Sequence, residues 1–358
     1  MRRRAQALLC GAAVLYVVLA WHALAAPSPA LVAAAAAAPP APTAEAAAAR
    51  PADPVFPTAI EVPPKLARHT RLELSGIAWL PGLGRYVVVS DDISAAHKKH
   101  APLLFTLSDG GRLDEKPTRI DGIHELNDPE SVTLGPDGSV FVCTSRSANR
   151  HGQLRESRSV LLQLAIGSDR RARILGQADL RLAPATDVAP GTSAASAGQP
   201  PWLALDLDIE AIAYREGALY IGLKAPLGPN GRARILRLSD PVRALVAGHV
   251  SPSSLSLWSE SRFCVPRNGE NVCEGIADLA FLDDGQLLVL GNSPKHLPSD
   301  GGGSLWQLSA PNAEPRLLQR FPGLKPEGIS LTPDRQQAVI VFDRDGAPPL
   351  WARWRLGT

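Results

Sequence analysis

Apolar and polar positions follow one theme five times along the chain. A short segment of small and apolar residues recurs as Ser75-Gly76-Ile77-Ala78-Trp79, Glu130-Ser131-Val132-Thr133-Leu134, Glu210-Ala211-Ile212-Ala213-Tyr214, Ala277-Asp278-Leu279-Ala280-Phe281 and Glu327-Gly328-Ile329-Ser330-Leu331. A turn follows each copy, among them Pro81-Gly82, Pro136-Asp137-Gly138 and Asp283-Asp284-Gly285. A β-rich apolar run comes next: Tyr86–Val89, Val140–Cys143, Leu219–Leu223, Leu287–Leu290 and Ala338–Phe342. Each unit therefore predicts a β-hairpin. Third strands are expected at Leu103–Leu107, Val160–Ile166, Arg234–Leu238 and Ser304–Leu308, and fourth strands at Ala172–Gly176 and Leu255–Trp258.

Short antiparallel units repeated around an axis define an all-β fold, a β-propeller, with five copies pointing to five blades. The longest interval, from Glu130 to Glu210, carries the turn-rich insert Ala183–Gln199 and leaves room for a sixth. The last unit lacks a fourth strand of its own, and Thr58–Val62 is expected to supply it and close the ring. A β-sandwich is the competing architecture, but regular hairpin repeats speak against it. No helical period lasts long enough for an α/β fold.

The first strand of a blade lies nearest the axis, where small residues fit. In an antiparallel hairpin the start of strand one lies beside the end of strand two. Both ends should therefore meet at one mouth. Strand-one starts carry Glu130, Glu210 and Glu327, and strand-two ends carry Asp91 and Asp92, Arg146, Lys224, Asn292, and Asp343 with Arg344. The carboxylates Glu130, Glu210 and Glu327 are the candidate catalytic groups. Asp91, Asp92, Glu210 and Asp343 offer oxygen ligands suited to Ca²⁺, the only cofactor expected. The acids of Asp206-Leu207-Asp208-Ile209-Glu210 alternate and so face one side of a strand. Arg146, Lys224, Arg344 and Asn292 are candidate binders of a small anionic ligand. Acids and bases so placed could equally pair with one another. His124-Glu125 with Asp128 lies close enough to reach the mouth, and the basic loop from Ser145 to Arg158 is positioned to overhang it as an anion-attracting lid. His97-Lys98-Lys99-His100 reads as a solvated loop.

The chain has 358 residues, 45% of them hydrophobic, with Lys plus Arg 37 against Asp plus Glu 35. Three of the basic residues, Arg2, Arg3 and Arg4, open an apolar run ending at Ala23-Leu24-Ala25. That pattern is a signal peptide over residues 1–25, cleaved after Ala25 or retained as an uncleaved anchor. Without it the charge is balanced, and nucleic acid is excluded as a partner. The location expected is periplasmic or secreted, with any membrane contact confined to the anchor. Residues 26–55 are Ala/Pro-rich and predict a disordered linker, and residues 56–358 make up the propeller, expected as a monomer. Four cysteines exclude a disulfide scaffold. In an oxidising compartment Cys264 and Cys273, flanking a polar loop, are the natural disulfide, and Cys143 in an apolar run reads as a buried thiol.

Several of these segments together resemble a known family. Glu130 with Cys143-Thr144-Ser145-Arg146-Ser147, Ile209-Glu210-Ala211-Ile212-Ala213 with Ile221–Leu227, and Pro326-Glu327-Gly328-Ile329 with Val341-Phe342-Asp343 are similar to the bacterial β-propeller family called domain of unknown function 3616. Ser75-Gly76-Ile77-Ala78 with Ser90-Asp91-Asp92 resembles the related esterase-like phytase domain. Arg146 stands where that pattern usually has His, and Lys224 where it has Arg. The phytase-like relatives imply phosphoester hydrolysis with calcium.

Three functions fit. One is a non-catalytic propeller of the cell envelope, binding a small anionic molecule or envelope component. The second is a metal-assisted phosphoester or ester hydrolase. The third is a propeller lactonase holding one divalent ion. No nucleophile elbow, phosphate loop or dinucleotide fingerprint is present in the sequence.

Overall fold

A computed structural model of the chain describes residues 56–69, 72–93, 102–149, 151–182, 206–267, 269–293, 302–344 and 347–356. The signal and linker expectations, the His97–His100 loop and the Ala183–Gln199 insert lie outside the described residues.

The repeated hairpins build a β-propeller. After β1 (Thr58–Ala59) and a short helix, α1 (Pro64–His69), come β2 (Leu72–Leu80), β3 (Arg85–Ile93), β4 (Leu103–Leu107) and β5 (Thr118–Asp121). The next unit is β6 (Pro129–Leu134), β7 (Val140–Thr144), β8 (Val160–Ile166) and β9 (Arg171–Asp179). A third holds β10 (Asp208–Arg215), β11 (Ala218–Ala225) and β12 (Ala233–Leu238), then helix α2 (Pro241–Ala247) and β13 (Leu255–Ser261). The hairpin β14 (Cys264–Arg267) and β15 (Glu270–Cys273) precedes β16 (Gly275–Phe281), β17 (Leu287–Asn292), β18 (Gly303–Leu308) and β19 (Arg316–Phe321). The last unit is β20 (Lys325–Leu331), β21 (Gln337–Asp343) and β22 (Leu350–Arg355).

Strand order is β1-β22-β21-β20 in that last sheet, so the N-terminal strand completes it from the outside, with Thr58 paired to Trp351. The first two units share one sheet because β5 pairs in parallel with β9. Among the described residues, the strands thus fall into five four-stranded units and the separate β14–β15 hairpin. Their innermost strands touch in the cycle β2, β6, β10, β16, β20 and back to β2. The apolar core follows the same cycle. Each hydrophobic cluster draws on two neighbouring units: Phe141 with Ile212, Val88 with Val341, Val87 with Val132, Ile235 with Val289, and Leu290 with Ile340. Burying such side chains contributes about 1.5–3 kcal/mol each.

The inner strands need small residues because their backbones nearly touch. A Cβ on Gly76 would lie 2.7 Å from the Ser131 Cα, and one on Gly328 would lie 2.8 Å from the Val341 side chain. The only acid in this small-residue row, Asp278, accepts from Ser131 Oγ at 3.0 Å and from the Ile329 amide at 2.7 Å. Ser131 Oγ in turn accepts from the Ile212 amide at 2.9 Å. Side chains therefore tie four units together across the axis.

Cys264 and Cys273 form the expected disulfide across the β14–β15 hairpin, and Cys143 is a buried free thiol. Among the described residues, no helix is long and apolar enough to cross a membrane.

Candidate functional site

The mouth is shaped by a feature the repeat does not announce. Each inner strand slips register against its partner at the start of the repeat. Pro129 pairs with Thr144 and Ser131 with Cys143, so Glu130 is left over. Ile209 pairs with Leu223 and Ala211 with Gly222, which leaves over Glu210. Pro326 pairs with Phe342 and Gly328 with Val341, which leaves over Glu327. A bulged residue is freed from the ladder and its side chain is re-aimed. The three glutamates are all buried.

Two groups of charge result. In the first, Lys224 Nζ lies 3.0 Å from Glu210 Oε1 and 3.9 Å from Glu327 Oε1. Lys325 contacts Glu327 and lies 3.1 Å from Asp343 Oδ2. Asn292 Nδ2 donates to Glu327 Oε2 at 2.9 Å. Asp343, Lys325, Glu327, Lys224 and Glu210 thus alternate in sign. In the second group, ligand oxygens of Asp91, Asp128 and Glu130 lie within 4.8 Å of one another. Arg158 pairs with Asp128, to which Ser145 Oγ also donates, and Arg158 Nε donates to the Ser147 carbonyl at 2.9 Å.

Carboxylates outnumber cations two to one here: Asp91, Asp128, Glu130, Glu210, Glu327 and Asp343 against Lys224, Lys325 and Arg158. Burial disfavours uncompensated charge, so protons are held tightly. Burial, with Glu210 and Asp128 nearby, lifts the Glu130 carboxyl well above the usual range. Burial and Glu73 push Asp91 up to about 8. Burial raises Glu210 to about 7 although Lys224 pulls the other way. Burial opposes the charges of Lys224 and Lys325, yet the carboxylates outweigh it and keep both protonated. Among the described residues, Asp91 Oδ1 and Asn292 Oδ1 are buried without a hydrogen-bond partner.

The structure therefore brings together Glu130, Glu210, Glu327, Lys224, Asn292, Asp343 and Asp91, as the hairpin argument required. It places the remaining candidates as follows. Arg146 is buried, with Nε donating to the Leu180 carbonyl at 2.8 Å and Asp206 and Asp179 among its neighbours. Arg344 is exposed and stands outside the charged groups. Glu210 and Asp343 are ion-paired to lysines, and the clustered oxygens belong instead to Asp91, Asp128 and Glu130. At the end of the expected basic lid Arg158 closes on Asp128, while His151, Gln153 and Arg155 are exposed. The Asp92 side chain lies outside the described residues. One residue was missed, Lys325. Lys325 stands directly opposite Asp343 in the β20–β21 pair and one step before Pro326-Glu327. Arg158 was expected in the lid, but its pairing with Asp128 was not, because the sequence does not give the path of the loop.

No known family model matches the chain, and no curated protein sequence does either. Solved structures do resemble it in fold. A gluconolactonase from Xanthomonas campestris is 11% identical, covers 86% of this chain and 99% of its own, and gives a TM-score of 0.35. An exo-beta-1,3-galactanase from Phanerochaete chrysosporium is 10% identical over 79% of this chain and 60% of its own, with a TM-score of 0.45. The Dos1 propeller is 10% identical over 81% and 73%, with a TM-score of 0.33.

Proposed function

We propose that the mouth holds a divalent cation on Asp91, Asp128 and Glu130, and that the cation recruits a small anionic ligand in the cell envelope. The observation that carries this is the oxygen cluster with an unpartnered buried Asp91 Oδ1. All three donors are carboxylates, which suit a hard ion such as Ca²⁺. The lysines are already paired, so an incoming phosphate or carboxylate would meet a net negative surface unless a cation intervenes. Once bound, the ion would supply a positive centre for such oxygens. Arg158, Ser145 and Ser147 hold the Asp128 carboxylate in place. Lys224 keeps Glu210 and Glu327 fixed at the edge of the mouth. The Cys264–Cys273 disulfide and the N-terminal signal pattern support export.

Elemental analysis of the purified protein and calorimetric titration with Ca²⁺ test this reading. One ion per chain, lost in Asp91→Asn, is the expected result. No bound ion and no heat from Ca²⁺ or Mg²⁺ would overturn it.

A second reading is ester or phosphoester hydrolysis, as the phytase-like resemblance implies. The supporting observation is Glu210, whose carboxyl is raised to about 7. Such a group can hold or release a proton at its Oε at neutral pH, as a general acid or base must. Turnover of nitrophenyl phosphate or ester that requires Ca²⁺ and vanishes in Glu210→Gln would favour this reading over pure binding.

A further inference from the structure

The two units that share a sheet are joined at their outer strands, and that seam is cationic. Strands β5 and β9 run parallel, with Arg119 opposite Arg171 and Asp121 opposite Arg173. The pair between them, Ile120 and Ala172, is buried, so these four residues share the outer face. All three arginines are exposed. Asp121, the single acid in register with them, accepts from Arg171 Nε at 2.7 Å. Like charges opposed across a ladder weaken it, so the stability of the sheet does not explain Arg119 set against Arg171. We propose that this flank docks on a membrane surface rich in anionic lipid headgroups.

Apolar residues stand on the same flank. On β8, Ala165 pairs with Arg173 and Gln163 with Gly176, so Gly176 lies on the face of Arg173. Helix α2 packs there, because a Cβ on Gly176 would lie 2.8 Å from the Leu245 side chain. Pro241, Ala244 and Leu245 form the buried side of α2. Val242 and Val246, one turn apart on its outer side, are 45% and 86% exposed, and Arg243 beside them is exposed too. Leu175, left over where β9 slips register against β8, is 47% exposed.

A soluble anion would engage the arginines and leave the valines in water. A bilayer surface takes both: phosphates meet guanidinium groups, and apolar side chains enter the boundary between headgroups and acyl chains. Asp169 and Asp240, the other acids close by, face backbone and accept from the amides of Arg171 at 3.2 Å and Arg243 at 2.9 Å. The N-terminal apolar run, read as a signal or as an anchor, takes the chain to a membrane. The flank shares no residue with the mouth, so it stands whether or not the mouth binds an ion.

The test uses the chain from Ala26 onward, which keeps every described residue and omits the apolar run, so vesicle binding reports the folded part. Vesicles of phosphatidylglycerol mixed with phosphatidylcholine should sediment the protein at low salt and release it at high salt. Vesicles of phosphatidylcholine alone should not bind it. Arg119→Gln combined with Arg173→Gln should weaken binding at least about tenfold. Val246→Ser, at a side chain that packs on little, should weaken it at least about threefold. Arg316→Gln combined with Arg335→Gln removes the same charge elsewhere and should leave binding unchanged. Urea curves check that each variant is folded. No binding to the phosphatidylglycerol vesicles, or equal binding to phosphatidylcholine, would overturn the proposal. So would loss through the arginines with full binding by Val246→Ser, because it would mark a soluble polyanion as the partner.

Discussion

Ser131 on β6 donates its hydroxyl to Asp278 on β16 at 3.0 Å, although 147 residues separate them. The contact spans two units that are not neighbours in the ring. Asp278 also accepts from the Ile329 amide, and burial raises its carboxyl well above the usual range despite these bonds. Removing it leaves a buried hydroxyl and a buried amide without an acceptor. Each orphan costs about 1–3 kcal/mol. Asp278→Ala should therefore lower the unfolding free energy by about 3 kcal/mol in urea, and Asp278→Asn by less. An unchanged midpoint for Asp278→Ala would remove the bond from any role in stability.

Lys224 serves two acids, and its loss should expose how they depend on it. Lys224→Met strands Glu210 as a buried carboxylate, while Glu327 keeps Lys325 and Asn292. Breaking a buried pair from one side costs about 3–5 kcal/mol. Glu210→Gln added to Lys224→Met should recover part of that loss. Urea curves for the single and double variants measure the coupling directly.

Protons and stability are linked at the mouth. Asp91, raised to about 8, and Glu210, raised to about 7, bind protons more tightly folded than unfolded. Their contribution is therefore complete below the ordinary carboxylate pKa of about 4 and declines as pH rises through 7 and 8. Urea midpoints taken between pH 5 and pH 9 in EDTA should fall across that window, relative to Asp91→Asn combined with Glu210→Gln. A parallel course for the two proteins would contradict the assignment.

Calcium should act in the opposite direction. Binding only to the folded chain, at a hundred times its Kd it stabilises by about 2.7 kcal/mol. The rise in melting temperature should grow with pH, since the ion competes with the protons on Asp91 and Glu130. Asp128→Asn should abolish it, and Arg158→Lys should weaken it by loosening Asp128. Melting curves with Ca²⁺ and with EDTA decide this.

The disulfide closes a loop between residues nine apart. Loop entropy assigns it about 2–3 kcal/mol. Reduction also frees the hairpin that carries Arg267, whose guanidinium donates to buried Glu274 at 2.7 Å. A reduced and alkylated sample should unfold at lower urea by at least the loop term.

How the sequence reads and where it stops follow from what each feature depends on. Hairpin repeats show because apolar alternation and turn residues are local. The ends of β4 and β8 match their expected residues, and β1 closes the last sheet where Thr58–Val62 was expected to. The convergence of Glu130, Glu210 and Glu327 follows from strand direction alone. The bulges do not show, because a slipped register leaves the composition of both strands unchanged. Strands β5 and β19 are short or partly polar and carry little pattern. The Arg146 guanidinium meets the Leu180 carbonyl, 34 residues on in the chain, a contact that no local pattern announces.

Thr58 and Ala59 stitch the circle shut from its rim, in the strand farthest from the axis. Whatever strains or cuts the residues just before them is felt first at that seam. Bulged Glu327 sits three strands inward in that sheet, so its corner of the mouth is the last part of the final sheet to feel a pull on β1.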